Sequence, residues 1–259
     1  MKRMPVIAHV PHASTLIGEH ERRLIVLDDE SLQREIVRLT DWDVDRLFSW
    51  VPDYGGQLFV NTLSRLVFDP ERFADDELEP AAAYGQGVAY THTSDGAPLA
   101  EISAEERAAR IRHLYEPYHE AFTTAVGDIL EEFGMALILD CHSFPTKPLP
   151  TETATGEVRP NICIGTDAFH TPPVLVESLE HAFRAEGLTV HRDSPFAGSI
   201  VPLAYLGTDP RVMSVMVEVR RDLYCDEATG ERTAEFARVR ALLERCVERA
   251  LDKATQERA

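Results

Sequence analysis

Short apolar runs rich in β-branched residues recur at Val6 to Val10, Leu58 to Val60, Leu66 to Phe68, Ala136 to Leu139, Ile162 to Ile164, Leu188 to Val190 and Val215 to Val219, with helix-period segments between them. This alternation predicts an α/β fold built on a mixed, mainly parallel sheet. Residues 103–133 read as helix, opening on a capping box of Ser103 with Glu106 and carrying Ile111, Tyr115, Tyr118, Phe122, Val126, Ile129 and Phe133 at helical spacing. Pro117 predicts a kink or split within it. A shorter helix is expected to start at Thr171 with Pro172 in its first turn and to stop before Gly187, burying Leu175, Leu179, Ala182 and Phe183. Phe236, Val239, Leu243, Cys246, Val247 and Ala250 form the stripe of a closing amphipathic helix. Residues 74–99 differ, being polar and punctuated by Pro80, Gly85, Gly87, Gly96 and Pro98; they read equally as a lid over a site or as a surface insertion. With no repeat or linker to divide the chain, residues 1–259 are expected to form one domain.

Composition then narrows the partners. The chain has 259 residues, with 44 acidic against 26 basic side chains and a formal charge of −18, which opposes nucleic acid and anionic membrane surfaces. No segment approaches the roughly 20 apolar residues of a membrane span, and the N-terminus reads as a first strand instead of a signal peptide. Four cysteines without CxxC spacing predict a reduced, cytoplasmic protein. An anionic small molecule remains a possible ligand, since a metal ion and a few arginines can reverse the local potential.

The chemistry-bearing residues cluster where strands end. MALILDCHSFP, residues 135–145, runs into Asp140 and His142, and VIAHVPHAS, residues 6–14, ends in His12. In a parallel sheet the ligand crevice lies outside the carboxyl ends of the strands, so both imidazoles can converge there on a metal. Catalytic zinc takes three protein ligands and keeps an open position for water. In TDWDVDRLF, residues 40–48, Thr40 is expected to cap a short helix that places Asp41 and Asp45 on one face. Asp41 is the preferred third ligand, with Asp45 the alternative; Asp41 also reads as an ordinary carboxylate in a first helical turn, and Asp45 as a solvated carboxylate or one paired with an arginine. Asp140 either orients an imidazole or caps a loop, and His119 reads as a hydrogen-bonded core histidine. Glu218 lies in an apolar strand, where a carboxylate must be paired, protonated or beside a metal; it reads as a general base or as a salt bridge to Arg220 or Arg65. Arg65 and Arg72 could clamp a substrate carboxylate, and Gly198 in PFAGS allows close approach of a ligand to the backbone.

Taken together, PHAS at 11–14, TDWDVDRLF at 40–48, SRLVFDPER at 64–72, YEPYH at 115–119, DCHSFP at 140–145, PFAGS at 195–199 and VEVRRDLY at 217–224 resemble the N-formylglutamate amidohydrolase family, in family order across most of the chain. The resemblance implies a three-layer, zinc-carboxypeptidase-like (phosphorylase/hydrolase-like) fold. It also implies zinc-dependent hydrolysis of an N-acyl amino acid, typically N-formyl-L-glutamate to formate and L-glutamate, a reaction of histidine degradation. On it, His12, Asp41 and His142 are metal ligands and Glu218 is the base, while Arg65, Arg72 and Arg220 hold substrate carboxylates. The chain departs from the family in reading Glu71 where Asn often precedes the arginine at 72, and PHAS for PHSG or PHAG; the acidic replacement disfavours a dicarboxylate. A metallo-amidase or carboxypeptidase acting on another acyl amino acid, and a noncatalytic small-molecule binding protein of the same fold, are the rival readings. A serine hydrolase fits less well because no GxSxG elbow is present.

Overall fold

Alternation along six strands decides which face each residue enters. The computed structural model describes residues 4–152 and 158–256. Its strands are β1 (Val6–Val10), β2 (Gln57–Val60), β3 (Ala136–Phe144), β4 (Ile162–Gly165), β5 (Val190–Arg192) and β6 (Val212–Arg220). Its helices are α1 (Glu19–Leu24), α2 (Asp29–Leu39), α3 (Val44–Leu47), α4 (Ala104–Arg110), α5 (Glu116–Phe133), α6 (Pro173–Ala185) and α7 (Phe236–Gln256). The strands form one sheet in the order β2-β1-β3-β6-β4-β5, parallel throughout except where β4 runs antiparallel to β6.

Val6, Ala8, Val10, Leu137, Leu139, Cys141, Met213, Val215 and Val217 pack one face of this sheet against α6 and α7, through Leu175, Leu179, Phe183, Leu243 and Val247. On the other face Ile7, Ala136, Ile138 and Val212 meet Phe122, Val126 and Ile129 of α5. The result is helix, sheet, helix in three layers, with the central strands buried on both sides as parallel strands usually are. On the α5 face the apolar residues give way, toward the carboxyl ends of β3 and β6, to Asp140, His142 and Glu218. The parallel register sets His9 opposite Asp140 and His142 opposite Glu218. A polar row at one end of one face is thus produced by period-two spacing alone.

Several elements differ from their sequence-based boundaries. Leu66 to Phe68 is not a strand but a buried turn, closed by the Val67 N–H donating to the Ser64 carbonyl at 2.8 Å; its apolar residues serve two small clusters instead of the sheet. Strand β3 extends to Phe144, so Asp140 and His142 lie within it and not in a following loop. The run at 188–190 shifts to Val190–Arg192. Thr40 is the C-cap of α2 and does not cap α3, which begins at Val44 after Asp43 in a left-handed conformation. Helix α6 likewise starts two residues later than Thr171, at Pro173, and the Thr171 hydroxyl donates instead to the Ser214 carbonyl at 2.6 Å. The helix expected over 103–133 is divided as Pro117 predicts: one π-helical turn, Ile111–Tyr115, joins α4 to α5, accommodating a residue that has no N–H for the ladder. Ser103 caps α4 by accepting the Glu106 N–H at 3.1 Å. Residues 74–99 are pinned to the body, with Val88, Tyr90 and Leu99 buried and Ser94 donating its N–H and hydroxyl to the buried carboxyl of Glu35. No helix among the described residues is long and apolar enough to cross a membrane, and all four cysteines are buried and unpaired.

Candidate active site

The polar row opens into a cleft of about 700 Å³ outside the carboxyl ends of β1, β3 and β6, lined among others by His12, Asp41, His142 and Glu218. His12 lies two residues past the end of β1. Asp41 is delivered by the turn between α2 and α3, where its N–H donates to the His12 carbonyl at 3.0 Å. Asp41 Oδ2 stands 3.2 Å from His142 Nδ1 and 3.6 Å from His12 Nδ1, and the two imidazole centroids are 5.1 Å apart. All three residues are buried.

The other edge of each imidazole is held by a carboxylate. His12 Nε2 donates to Asp69 Oδ1 at 2.8 Å, and His142 Nε2 faces Asp140 Oδ1 at 3.0 Å and Glu71 Oε1 at 3.1 Å. Both Nδ1 atoms are therefore turned toward Asp41, in the arrangement by which carboxylates orient metal-bound histidines. Asp69 is itself clamped, accepting from Arg65 at 2.7 and 3.2 Å, from the Tyr90 hydroxyl at 2.8 Å and from the Glu71 N–H at 3.0 Å. Asp140 also accepts from His9 Nδ1 at 3.0 Å and from the Ile200 N–H at 3.1 Å, while His9 Nε2 meets the Tyr118 hydroxyl at 2.7 Å. Arg221 closes the back, donating to Asp41 Oδ1 at 2.9 Å, the Ser143 hydroxyl and carbonyl at 3.1 and 3.2 Å, and the Arg38 carbonyl at 2.6 Å.

The electrostatics favour a cation at this point. Burial alone would raise the pKa of Asp41, yet the two imidazoles beside it, His12 and His142, and the charge of Arg221 hold it well below its usual value. Burial would lower the pKa of His142, but Glu71 and Asp140 keep its proton bound well above the ordinary imidazole range. His12 Nδ1 and Glu218 Oε2 are buried without a hydrogen-bond partner among the described residues, although an orphaned buried acceptor is costly. Two imidazoles and a carboxylate around such orphans suit a divalent ion such as Zn²⁺. Burial, the largest influence on Glu218, pushes its pKa to about 8, with Asp41 and Glu71 adding to the rise against His142 and Arg221.

Not every residue anticipated from sequence comes to the cleft. Asp45 pairs with Arg46 at 3.2 Å and does not line it. Arg220 turns to Asp222 at 2.7 Å and to the carbonyl of Arg159 at 2.8 Å, also outside the lining; its neighbour Arg221, which sequence reasoning passed over, takes the inward place. Neither Arg220 nor Arg65 pairs with Glu218, which has no ion pair among the described residues. Arg65 and Arg72 do line the cleft, Arg65 spending its donors on Asp69 and Arg72 donating Nε to the Gln86 carbonyl at 3.2 Å. Gly198 lines it too, at φ +91°, and nothing lies within 4 Å of where its Cβ would stand. His119 donates Nε2–H to the Pro70 carbonyl at 2.9 Å, and burial drops its pKa to about 4. His9 and Glu71 were missed as site residues. His9 carried a signal, the one polar residue in VIAHV; Glu71 carried only its place beside Arg72.

Residues 4–225 match the sequence profile of the family described as N-formylglutamate amidohydrolase. N-formylglutamate deformylase of Pseudomonas aeruginosa is 30% identical over 234 residues, covering 87% of this chain and 84% of the relative. The Pseudomonas putida enzyme of the same name is 26% identical over 231 residues, covering 87% and 83%. Among solved structures, an N-formylglutamate amidohydrolase from Ralstonia eutropha JMP134 superposes with a TM-score of 0.82 at 26% identity, over 99% of this chain and 96% of that one. An Agrobacterium tumefaciens protein shares the fold, with a TM-score of 0.72 at 22% identity over 98% and 93%.

Proposed function

The chain belongs to the N-formylglutamate amidohydrolase family, and from that premise we propose that it catalyses metal-dependent hydrolysis of the amide bond of an N-acyl amino acid, N-formyl-L-glutamate being the substrate its relatives' names indicate. The single observation that carries the reading is the placing of Glu218. Its unpartnered Oε2 is buried on the strand position opposite His142, beside the pocket formed by His12, Asp41 and His142.

In this reading His12, Asp41 and His142 would hold a divalent cation, most suitably Zn²⁺. Such an ion polarises a carbonyl and brings water toward ionisation at neutral pH. Asp69 and Asp140 keep the two imidazoles in the tautomer and direction that ligation requires. Glu218 accepts a proton from the attacking water and returns it to the nitrogen of the departing amine. A carboxyl with a pKa near 8 is protonated at neutral pH, and a divalent charge alongside would draw it down into the range of a working base. Arg72 holds the substrate carboxylate, fixing the acyl carbon in reach of Glu218.

The test is formate release from N-formyl-L-glutamate by protein carrying one equivalent of zinc. Glu218→Gln should abolish turnover while bound zinc, measured by mass spectrometry, stays at one equivalent. Full turnover in that variant removes Glu218 from the chemistry. Metal-free protein with undiminished activity removes the cation.

A further inference from the structure

Four arginines line the cleft, but they are not equally available. Arg38 is engaged by Asp95, Arg65 turns its paired donors to Asp69, and Arg221 makes four hydrogen bonds within the protein. Arg72 is the only one whose Nη1 and Nη2 both lack a hydrogen-bond acceptor among the described residues. A guanidinium fork binds one carboxylate bidentately, so the cleft offers one such clamp. His119 supplies no second anchor, being neutral and committed to Pro70.

The charge sum points the same way. Six carboxyl groups line the cleft (Asp41, Glu71, Asp140, Glu152, Asp167 and Glu218) against the four guanidiniums, so a divalent ion brings the lining only to neutrality. A first substrate carboxylate takes Arg72; a second finds no free guanidinium fork among the described residues of the lining and meets Glu71, the residue next to Arg72 in the chain. The mouth is apolar instead. Phe73 and Tyr84 on one segment, and Leu203 and Leu206 on another, line the same cleft while remaining 43, 51, 65 and 38% exposed. On a chain of formal charge −18, large apolar side chains left open at the rim of a catalytic cleft are placed to cover an apolar ligand group.

Granted the hydrolase reading above, we propose that this cleft selects N-acyl amino acids bearing one carboxylate and an apolar side chain over dicarboxylates such as N-formyl-L-glutamate. Arg72 takes the α-carboxylate, and the side chain runs out between Tyr84 and Leu203.

The experiment compares kcat/KM for formate release from N-formyl-L-phenylalanine, N-formyl-L-glutamine and N-formyl-L-glutamate with equal zinc loading. The phenylalanine derivative should exceed the glutamate derivative about tenfold or more, with glutamine between them, since both apolar burial and charge act in that direction. Leu203→Ser with Leu206→Ser should cut the phenylalanine-to-glutamine ratio about fivefold, and Glu71→Gln should raise the glutamate-to-glutamine ratio about tenfold. Preference for the glutamate derivative overturns the proposal while leaving the hydrolase reading intact. Turnover of none of the three refutes that reading and this inference with it. A dimer in sedimentation that the double Leu variant dissolves, with substrate ratios unmoved, assigns the apolar mouth to a second copy of the chain and also overturns the proposal.

Discussion

Replacing Arg221 by Met removes a charge from the floor of the site while keeping most of the side chain's bulk. Arg221 is 4% exposed, and its loss leaves Asp41 Oδ1, the Ser143 carbonyl and the Arg38 carbonyl without this donor. Breaking a buried ion pair by removing one partner costs about 3–5 kcal/mol, mainly through the uncompensated charge left behind. Unfolding entropy near 2.1 cal/mol/K per residue gives roughly 0.5 kcal/mol/K for a chain of 259 residues, so the expected fall in Tm is roughly 6–10 °C. Calorimetry and urea unfolding of chelator-treated protein would measure it. The sign with pH is fixed: the depressed pKa of Asp41 contributes stability above its unfolded value of 3.8, and this is lost as pH falls through the folded value. Without Arg221 the carboxyl takes a proton more readily, so the deficit of the variant should be greatest near pH 7 and shrink on acidification. Asp41→Asn in the same background should restore part of the loss. A variant within about 1 kcal/mol of the parent, or a deficit that Asp41→Asn merely adds to, would refute the assignment of Arg221 as counter-charge.

Three further outcomes follow from the same geometry. A divalent ion bound beside Nδ1 of His142 would displace the second proton of that imidazole, which the charges of Glu71 and Asp140 retain, and would draw the proton off Glu218. Affinity should therefore weaken as pH falls, and binding near pH 7 should release about two protons; calorimetry in buffers of different ionisation enthalpy reads both, and affinity flat from pH 8 to 6 contradicts it. In metal-free protein Glu218, with its pKa raised from 4.5 to about 8, favours the folded state fully below pH 4.5 and progressively less up to about 8. Glu218→Gln should remove that slope, worth up to about 1.4 kcal/mol per pH unit, and a parallel pair of stability profiles would count against it. Phe122→Ala should cost about 3–5 kcal/mol in urea unfolding, because Phe122 is fully buried and packs against the His9 ring at 4.7 Å; a loss below about 1 kcal/mol would mean that α5 does not anchor this face.

The sheet was legible because apolar β-branched runs leave few alternatives; His12, His142 and Glu218 stood out because polar residues in or just after apolar strands are expensive unless used, and the structure gathers them with Asp41 along one cleft. What escaped has physical reasons. Period-two reasoning places Arg220 on the face of Glu218, but the chain leaves the strand there and enters the tight turn Arg221–Leu223, which swings Arg221 inward and sends Arg220 back to Asp222. Leu66 to Phe68 has the composition of a strand, yet its neighbours Ser64 and Asp69 offer local hydrogen bonds that replace a ladder. Asp41 was chosen for the right spacing on the wrong element: it stands ahead of α3, held by the His12 carbonyl. Glu71 stood out only beside Arg72 and not as a partner of His142, because its position depends on Asp69, two residues away, being gripped by a histidine, an arginine and a tyrosine from three parts of the chain.

That grip at Asp69 bears on how such a protein could change over generations. One carboxylate joins the loop after the first strand, the turn at 64–69 and the segment around Tyr90, so a substitution there would threaten survival of the fold before any selection on chemistry could act. Glu218 has the opposite character: nothing leans on its second oxygen. If Glu218 is the base proposed above, a descendant drifting away from catalysis would shed it early and keep Asp69 long afterwards, so that the older acid would mark ancestry and the younger loss would mark retirement from the reaction.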